Sequence, residues 1–202
     1  MKKFLKKRWP WIAGGCIILT AILLLLVRCD GAPAAGEPTL VVETPQKLSA
    51  SQPEAFTLDV TISALGDARY PAMSMSIAFD SSRLEFLGVE EGNLFILNSE
   101  NSSGQQLPDW SCNVSASNET GLINVIYLDM TGGKNAFVKE LLAEDYNVVL
   151  RLKFRLRGSA RSGDVLDLIL EDAVFAASDE TQSLAMTTGT LKVKNGKLVI
   201  GD

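Results

Sequence analysis

From Thr39 onward, apolar and polar residues alternate with a period of two. Phe56, Leu58, Val60, Ile62 and Ala64 are separated by Thr57, Asp59, Thr61 and Ser63. Met73, Met75, Ile77 and Phe79 are separated by Ser74, Ser76 and Ala78. Leu150, Leu152, Phe154 and Leu156 alternate with Arg151, Lys153, Arg155 and Arg157. Successive side chains of a strand point to opposite faces, so each run predicts a strand with one buried and one wet face. Less regular strands are expected at 40–44, 84–89, 110–116, 122–129, 165–170 and 190–194, with a short terminal one at 197–200. Asn195-Gly196 between the last two carries the signal of a two-residue type I′ hairpin. Turn-rich stretches at 66–67, 98–104, 118–121, 131–134 and 158–164 separate the others. One segment, 136–145, has helical spacing, with Phe137, Leu141 and Leu142 on one side. About nine regularly spaced strands and one short helix predict an all-β sandwich of Greek-key or jelly-roll type.

The N-terminus follows a different pattern. Lys2, Lys3, Lys6, Lys7 and Arg8 precede Trp9, Pro10 and Trp11, and an apolar stretch then runs to Val27. As a helix, residues 9–27 would extend about 28 Å, close to the roughly 30 Å hydrocarbon core of a bilayer. Five positive charges before the stretch place the N-terminus in the cytoplasm by the positive-inside rule. The expectation is a retained single-pass anchor with the C-terminal domain extracellular. The alternatives are a cleaved signal peptide, with Ala32-Pro33-Ala34 as its weak cleavage site, a lipoprotein, against which Arg28 before Cys29 argues, and a buried core helix, against which the neighbouring lysines argue. Residues 1–8 are then a cytoplasmic basic segment, 9–28 the transmembrane helix, 29–37 a linker rich in Ala, Gly and Pro, and 38–202 the sandwich.

Charge sharpens this division. The chain has 19 basic and 24 acidic residues; six of the basic ones and no acidic one lie in residues 1–28. The remainder is strongly acidic, which excludes nucleic acid as a natural partner. Histidine is absent, removing the commonest general base and metal ligand. Three cysteines, two of them at 16 and 29, are too few for a disulfide framework around Cys112.

No catalytic constellation is visible. There is no GxSxG, HExxH or P-loop pattern. Asp59, Asp80, Glu85, Asp129 and Glu171 are carboxylates of the type a glycosidase uses, but their pattern is that of strand edges and turns. Asp129 near Thr131, and Asp179-Glu180, could offer oxygen ligands to calcium, without any known calcium-loop pattern. No catalytic residue, cofactor or metal is assigned. The stripe Arg151, Lys153, Arg155 and Arg157 reads as a solvated strand face, or as a surface for an acidic partner. Asn101-Ser-Ser, Asn113-Val-Ser and Asn118-Glu-Thr match the short N-glycosylation triplet.

Three stretches in order resemble a cohesin domain. Residues 70–95, YPAMSMSIAFDSSRLEFLGVEEGNLF, are similar to the strand ending in an aromatic-Asp pair, the turn, the Leu-Glu strand and the acidic-Gly step of that family. Residues 121–133, GLINVIYLDMTGG, resemble its strand ending in an LD-x-T-G turn. Residues 148–196, with DAVFAASDE, resemble its last strands. The resemblance covers about residues 38–202. It implies a nine-stranded jelly roll that binds a dockerin module of another protein, in assemblies that degrade polysaccharides on bacterial surfaces. Family members often carry Asn and Asp on the dockerin-facing side of the strand matching 72–78. Here those positions hold Ala72 and Ser74. Asp129 matches an acidic contact position of the family.

The partner-binding expectation therefore centres on Ser74, Ser76 and Asp129: small outward side chains that admit a helix, with one carboxylate at the rim. A carbohydrate-binding module on the same fold is the alternative, with Trp110, Tyr70 and Tyr127 as the aromatic candidates for polysaccharide. A structural envelope protein is a third reading.

Overall fold

The computed structural model describes residues 36–51, 54–95, 110–178, 186–187 and 189–202. The expected transmembrane segment and most of the linker, the turn at 98–104, the triplet at Asn101 and the pair Asp179-Glu180 lie outside them. No helix among the described residues is long and apolar enough to cross a membrane.

Eleven strands form among the described residues: β1 Thr39–Val42, β2 Leu48–Ser49, β3 Phe56–Ile62, β4 Ala72–Phe79, β5 Leu84–Glu91, β6 Trp110–Cys112, β7 Leu122–Leu128, β8 Val148–Leu156, β9 Val165–Ala176, β10 Lys192–Lys194 and β11 Gly196–Gly201. They make a five-stranded sheet, β10-β1-β3-β8-β5, and a six-stranded sheet, β2-β11-β9-β4-β7-β6. The periodic runs behave as their alternation dictates. Met73, Met75, Ile77 and Phe79 are buried, as are Leu58, Val60 and Ile62 of β3 and Leu150, Leu152 and Phe154 of β8. These inward faces meet in one core, in which Phe154 lies 5.5 Å from Phe86 and 5.6 Å from Phe79 between ring centres. The architecture is the two-sheet sandwich expected from the pattern, with the jelly-roll form that the resemblance implies.

Three local expectations are corrected. Asn195-Gly196 does not turn a hairpin. β10 runs parallel to β1 in one sheet, and β11 pairs with β9 and β2 in the other. The dipeptide is the crossing point between sheets. The Asn195 side chain accepts the backbone N–H of Leu170, and a Cβ on buried Gly196 would lie 2.9 Å from Val42 and Thr44 side-chain atoms. Neither residue has the positive φ that a type I′ turn requires.

The second correction concerns the helix. Residues 136–145 hold only a 3-10 turn, Lys139–Leu141. Phe137 instead exchanges two backbone hydrogen bonds with Tyr70, both 2.9 Å, and packs 5.2 Å from Phe175. Pairing and aromatic burial outcompete a segment too short to be a stable helix alone.

The third is its counterpart. β6 stops at Cys112, and a helix, α1 (Val114–Thr120), occupies what 110–116 read as strand. Asn113 caps it, accepting the Ala116 N–H at 3.0 Å, and Gly121 ends it in the left-handed region at φ 71°. These two residues outweigh the β character of Val114.

Candidate functional site

The outer face of the six-stranded sheet is built on β4, which has β7 on one side and β9 on the other. Inward β4 residues fill the core, so Ala72, Ser74, Ser76 and Ala78 must face outward. Register sets their neighbours. Ala72 stands between Leu128 and Ala176, Ser74 between Ile126 and Val174, and Ser76 between Asn124 and Asp172. The Ser76 hydroxyl donates to Asn124 Oδ1 at 2.8 Å, which ties the two strands on this face.

The β7 side is apolar and open. Ile126 is 56% exposed, Leu128 57% and Met130, just past the strand, 82%. Scattered exposed aliphatics are ordinary, but three on one edge of one face form a patch. The β9 side carries a bulge. Register shifts between Ser76 and Ile77, so Glu171 and Asp172 are both exposed where a regular strand would bury one. Neither carboxylate forms an ion pair among the described residues. Further along β9, Ile169 and Val165 continue the exposed face, bordering a shallow cleft with Ala78, Asp80 and Asp167.

The residues expected from sequence fall as follows. Ser74 is exposed and Ser76 half-buried, side by side on this face. Asp129 follows β7 beside Leu128 and Met130, but its carboxylate turns into the 129–135 loop. Its Oδ1 accepts from the Thr131 N–H at 2.8 Å and from the Thr131 hydroxyl, and the Asn135 N–H in turn reaches Thr131 Oγ1 at 3.2 Å. Its Oδ2 is buried without a hydrogen-bond partner among the described residues. Asp129 therefore shapes the loop carrying Met130 instead of standing at the rim as a free charge.

The aromatic candidates do not make a sugar platform. Tyr70 and Tyr127 are each 1% exposed. Tyr127 donates to the Asn135 carbonyl at 2.6 Å, and burial, then the charge of Asp129, push its hydroxyl pKa far up. Trp110 is half-buried and tilted 41° against Tyr127 at 5.1 Å, with Phe137 behind it. The reason is their place in the pleat: Tyr127 lies on the inward set of β7, and Tyr70 is held by the Phe137 bridge.

Three of the four cations of the basic stripe are neutralised within their own sheet. Arg151 pairs with Asp59 at 3.0 Å, Lys153 with Glu90 at 2.6 Å and Arg155 with Glu85 at 3.1 Å. Arg157 donates to the Leu84 carbonyl at 3.2 Å. This is the solvated face of β8 with cross-strand partners from β3 and β5. Among the described residues no three acidic or cysteine side chains converge on a point that could hold a metal ion.

Sequence reasoning missed Ile126, Leu128, Met130 and the bulge pair as site residues. The signal was present in LINVIYLDM, where apolar residues occupy both parities, but it reads only as a weak strand until one parity is known to be buried.

The comparisons agree with this architecture. The third cohesin of ScaC from Acetivibrio cellulolyticus, solved with the ScaB dockerin, superposes with a TM-score of 0.55 at 15% identity, covering 82% of this chain and 99% of that one. The OlpA cohesin of Clostridium thermocellum, solved in a complex described as a novel type I cohesin–dockerin complex, gives 0.57 at 16% identity over 81% and 98%. A non-cellulosomal cohesin from the hyperthermophilic archaeon Archaeoglobus fulgidus gives 0.53 at 15% identity over 82% and 92%. No curated protein matches the chain. The family model for the cohesin domain matches residues 41–193, three quarters of the sequence and nearly all of the sandwich, and the chain belongs to the cohesin domain family.

Proposed function

We propose that this chain is a non-catalytic docking module that receives a dockerin-type partner on the outer face of β9-β4-β7, and that residues 9–27 hold it to a membrane with the domain outside. The observation that carries the docking reading is the face itself: small Ala72, Ser74, Ser76 and Ala78 on the central strand, flanked by exposed Ile126 and Leu128. Small side chains let a partner's backbone approach, and the aliphatic flank supplies area to bury. The solved relatives include several cohesin–dockerin complexes, which supports a partner of that class. The assembly served is proposed to be a surface complex for polysaccharide degradation; the Archaeoglobus relative, described as non-cellulosomal, marks the other kind of setting in which the fold occurs.

The test is binding of the full chain and its Ser76→Arg variant to dockerin-bearing proteins of the same organism, beside insoluble polysaccharides. The parent should bind a dockerin and no polysaccharide. Ser76→Arg should lose binding with an unchanged melting curve. Binding unchanged by that substitution places docking elsewhere. N-terminal sequencing of the mature protein tests the anchor: a chain starting near residue 33 or 35 would show that it is removed.

A further inference from the structure

The loop that follows β7 contains two buried polar atoms that the fold leaves unbonded. Asp129 Oδ2 and Asn135 Oδ1 are both shielded from solvent and accept no hydrogen bond among the described residues. Asn135 is 2% exposed, although Thr131, Gly132 and Lys134 of the same loop are open to solvent. Buried amides and carboxylates are normally satisfied, so two orphans in one short loop call for a cause.

The donors around the loop are engaged elsewhere. The Thr131 N–H and hydroxyl go to Asp129 Oδ1, and the Asn135 N–H goes to Thr131 Oγ1 at 3.2 Å. The Tyr127 hydroxyl donates to the Asn135 main-chain carbonyl at 2.6 Å. Arg69 reaches the loop, but its guanidinium is directed to the Gly133 carbonyl. Asp129 forms no ion pair among the described residues. One hydroxyl, that of Thr131, touches both the Asp129 carboxylate and the Asn135 backbone, so the two side chains leave the chain close together. What remains is a buried carboxylate oxygen and a buried amide oxygen: two acceptors, one of them charged.

We infer that Asp129 Oδ2 and Asn135 Oδ1 bind a calcium ion in the 129–135 loop. The chemistry of the pair selects it. Both ligands are hard oxygens, the chain has no histidine, and Cys112 belongs to β6. Three acidic side chains do not converge here, but calcium also accepts amide and water oxygens, in irregular shells, whereas magnesium demands near-ideal octahedral geometry. Gly132 and Gly133, at φ 77° and 94°, let the chain curl between the two ligands. A bridging water would satisfy both acceptors but leave the carboxylate charge desolvated and unpaired; a cation meets both needs. With one carboxylate among its ligands the site is weak, with a Kd of about 0.1–1 mM, the range of extracellular calcium modules. Filling it fastens the loop that carries Met130 and takes the Tyr127 hydrogen bond.

The test is a thermal melt of the full chain, stripped with EDTA and returned to calcium, magnesium or sodium chloride. Calcium at about tenfold its Kd should raise Tm by about 3–6 °C, with no comparable effect of the other two. Asp129→Asn keeps an oxygen for the Thr131 bonds and removes the charge. It should fold and lose the calcium response. Asn135→Asp adds a second carboxylate. It should melt below the parent in EDTA, because like charges then share the loop, and bind calcium about tenfold or more tightly. A parent indifferent to calcium, or shifted equally by magnesium or sodium, overturns the inference. So does a calcium response that survives Asp129→Asn, which places the ion elsewhere. An Asn135→Asp variant that calcium does not rescue overturns it too, and leaves a water between the two oxygens. No partner enters these melts, so their outcome is independent of the docking reading.

Discussion

Asn118 lies in a glycosylation triplet, yet the fold uses its side chain as a piece of β-strand. β5 is the edge of the five-stranded sheet, and α1 packs against it. From α1, Asn118 Oδ1 accepts the Phe86 N–H at 2.9 Å, and its Nδ2 donates to the Phe86 carbonyl at 2.8 Å and to the Val114 carbonyl at 3.0 Å. One amide thus satisfies both free backbone groups of a buried edge residue and holds the helix on the sheet. Asn118→Ala leaves the Phe86 N–H and C=O without partners. At about 1–3 kcal/mol for each unsatisfied group, with some recovery by water at the edge, the cost is about 2–4 kcal/mol. Asn113→Ala, in the neighbouring triplet, removes only the α1 cap and should cost about 1 kcal/mol. Urea denaturation of both variants, followed by far-UV circular dichroism, measures the difference. Asn118→Gln should resemble Asn118→Ala, because a longer side chain cannot meet both groups from the same helix position. An Asn118→Ala cost no larger than that of Asn113→Ala would refute the reasoning. Since Nδ2 is committed inside the fold, Asn118 should also remain unmodified where a glycosylating host modifies exposed triplets.

Phe154→Ala removes a fully buried ring that touches Phe56, Phe79 and Phe86, and should cost about 3–5 kcal/mol in the same denaturation assay. By contrast, Lys153→Ala breaks an exposed ion pair with Glu90 and should cost under about 1 kcal/mol. Gly121→Ala should destabilise by at least about 1 kcal/mol, because a side chain is strained at φ 71° and its Cβ would stand 2.9 Å from the Phe79 carbonyl oxygen. Asp80 is held below its ordinary pKa of 3.8 chiefly by the Ser82 hydroxyl, against the opposing effect of burial, and then by Arg83. A carboxyl depressed in the folded state contributes stability that is complete above 3.8 and is lost as pH falls through the lower folded value. Asp80→Asn should therefore be less stable than the parent at neutral pH and show a shallower loss on acidification.

The strands legible in the sequence are those with one wet face. β3, β4 and β8 alternate cleanly because solvent lies on one side and the other sheet on the opposite side, so local pattern and tertiary environment agree. The misread elements depend on partners far along the chain. Asn195-Gly196 looks like a hairpin because local turn chemistry cannot announce that β10 will pair with β1, some 150 residues earlier in the chain. Residues 136–145 look helical because Phe137, Leu141 and Leu142 have the spacing of one face. The burial of Phe137 is satisfied instead by Tyr70, Tyr127 and Phe175, which only the fold brings together. The caps of α1 were readable, Asn113 at one end and Gly121 at the other. A Val-Ser-Ala-Ser run after a Trp-Ser-Cys strand nonetheless carries enough β character to hide a helix of two turns.

The site was legible only in its floor, and the reason is physical. Ser74 and Ser76 stand out because they interrupt buried Met73, Met75 and Ile77. β7 shows no such contrast: Ile123, Val125 and Tyr127 face the core while Ile126 and Leu128 face out. Alternation assumes that solvent will be met by polar groups. A strand that keeps aliphatic side chains on its solvent face breaks the pattern, and a contiguous patch of that kind is what interaction surfaces expose. The irregularity that made 122–129 a weak strand in the sequence is thus the mark of an exposed aliphatic face on β7. The bulge at Glu171 and Asp172 breaks the pattern in the same way on β9, since two consecutive polar residues inside an alternating run end the expected strand at 170, whereas β9 continues to Ala176. Replacing Ile126 and Leu128 together by Thr should restore a clean alternation, leave the core side of β7 intact and change stability by little. It should at the same time cost the chain its partner. Equal affinity of that variant and the parent for a bound dockerin would show that the aliphatic edge serves no contact.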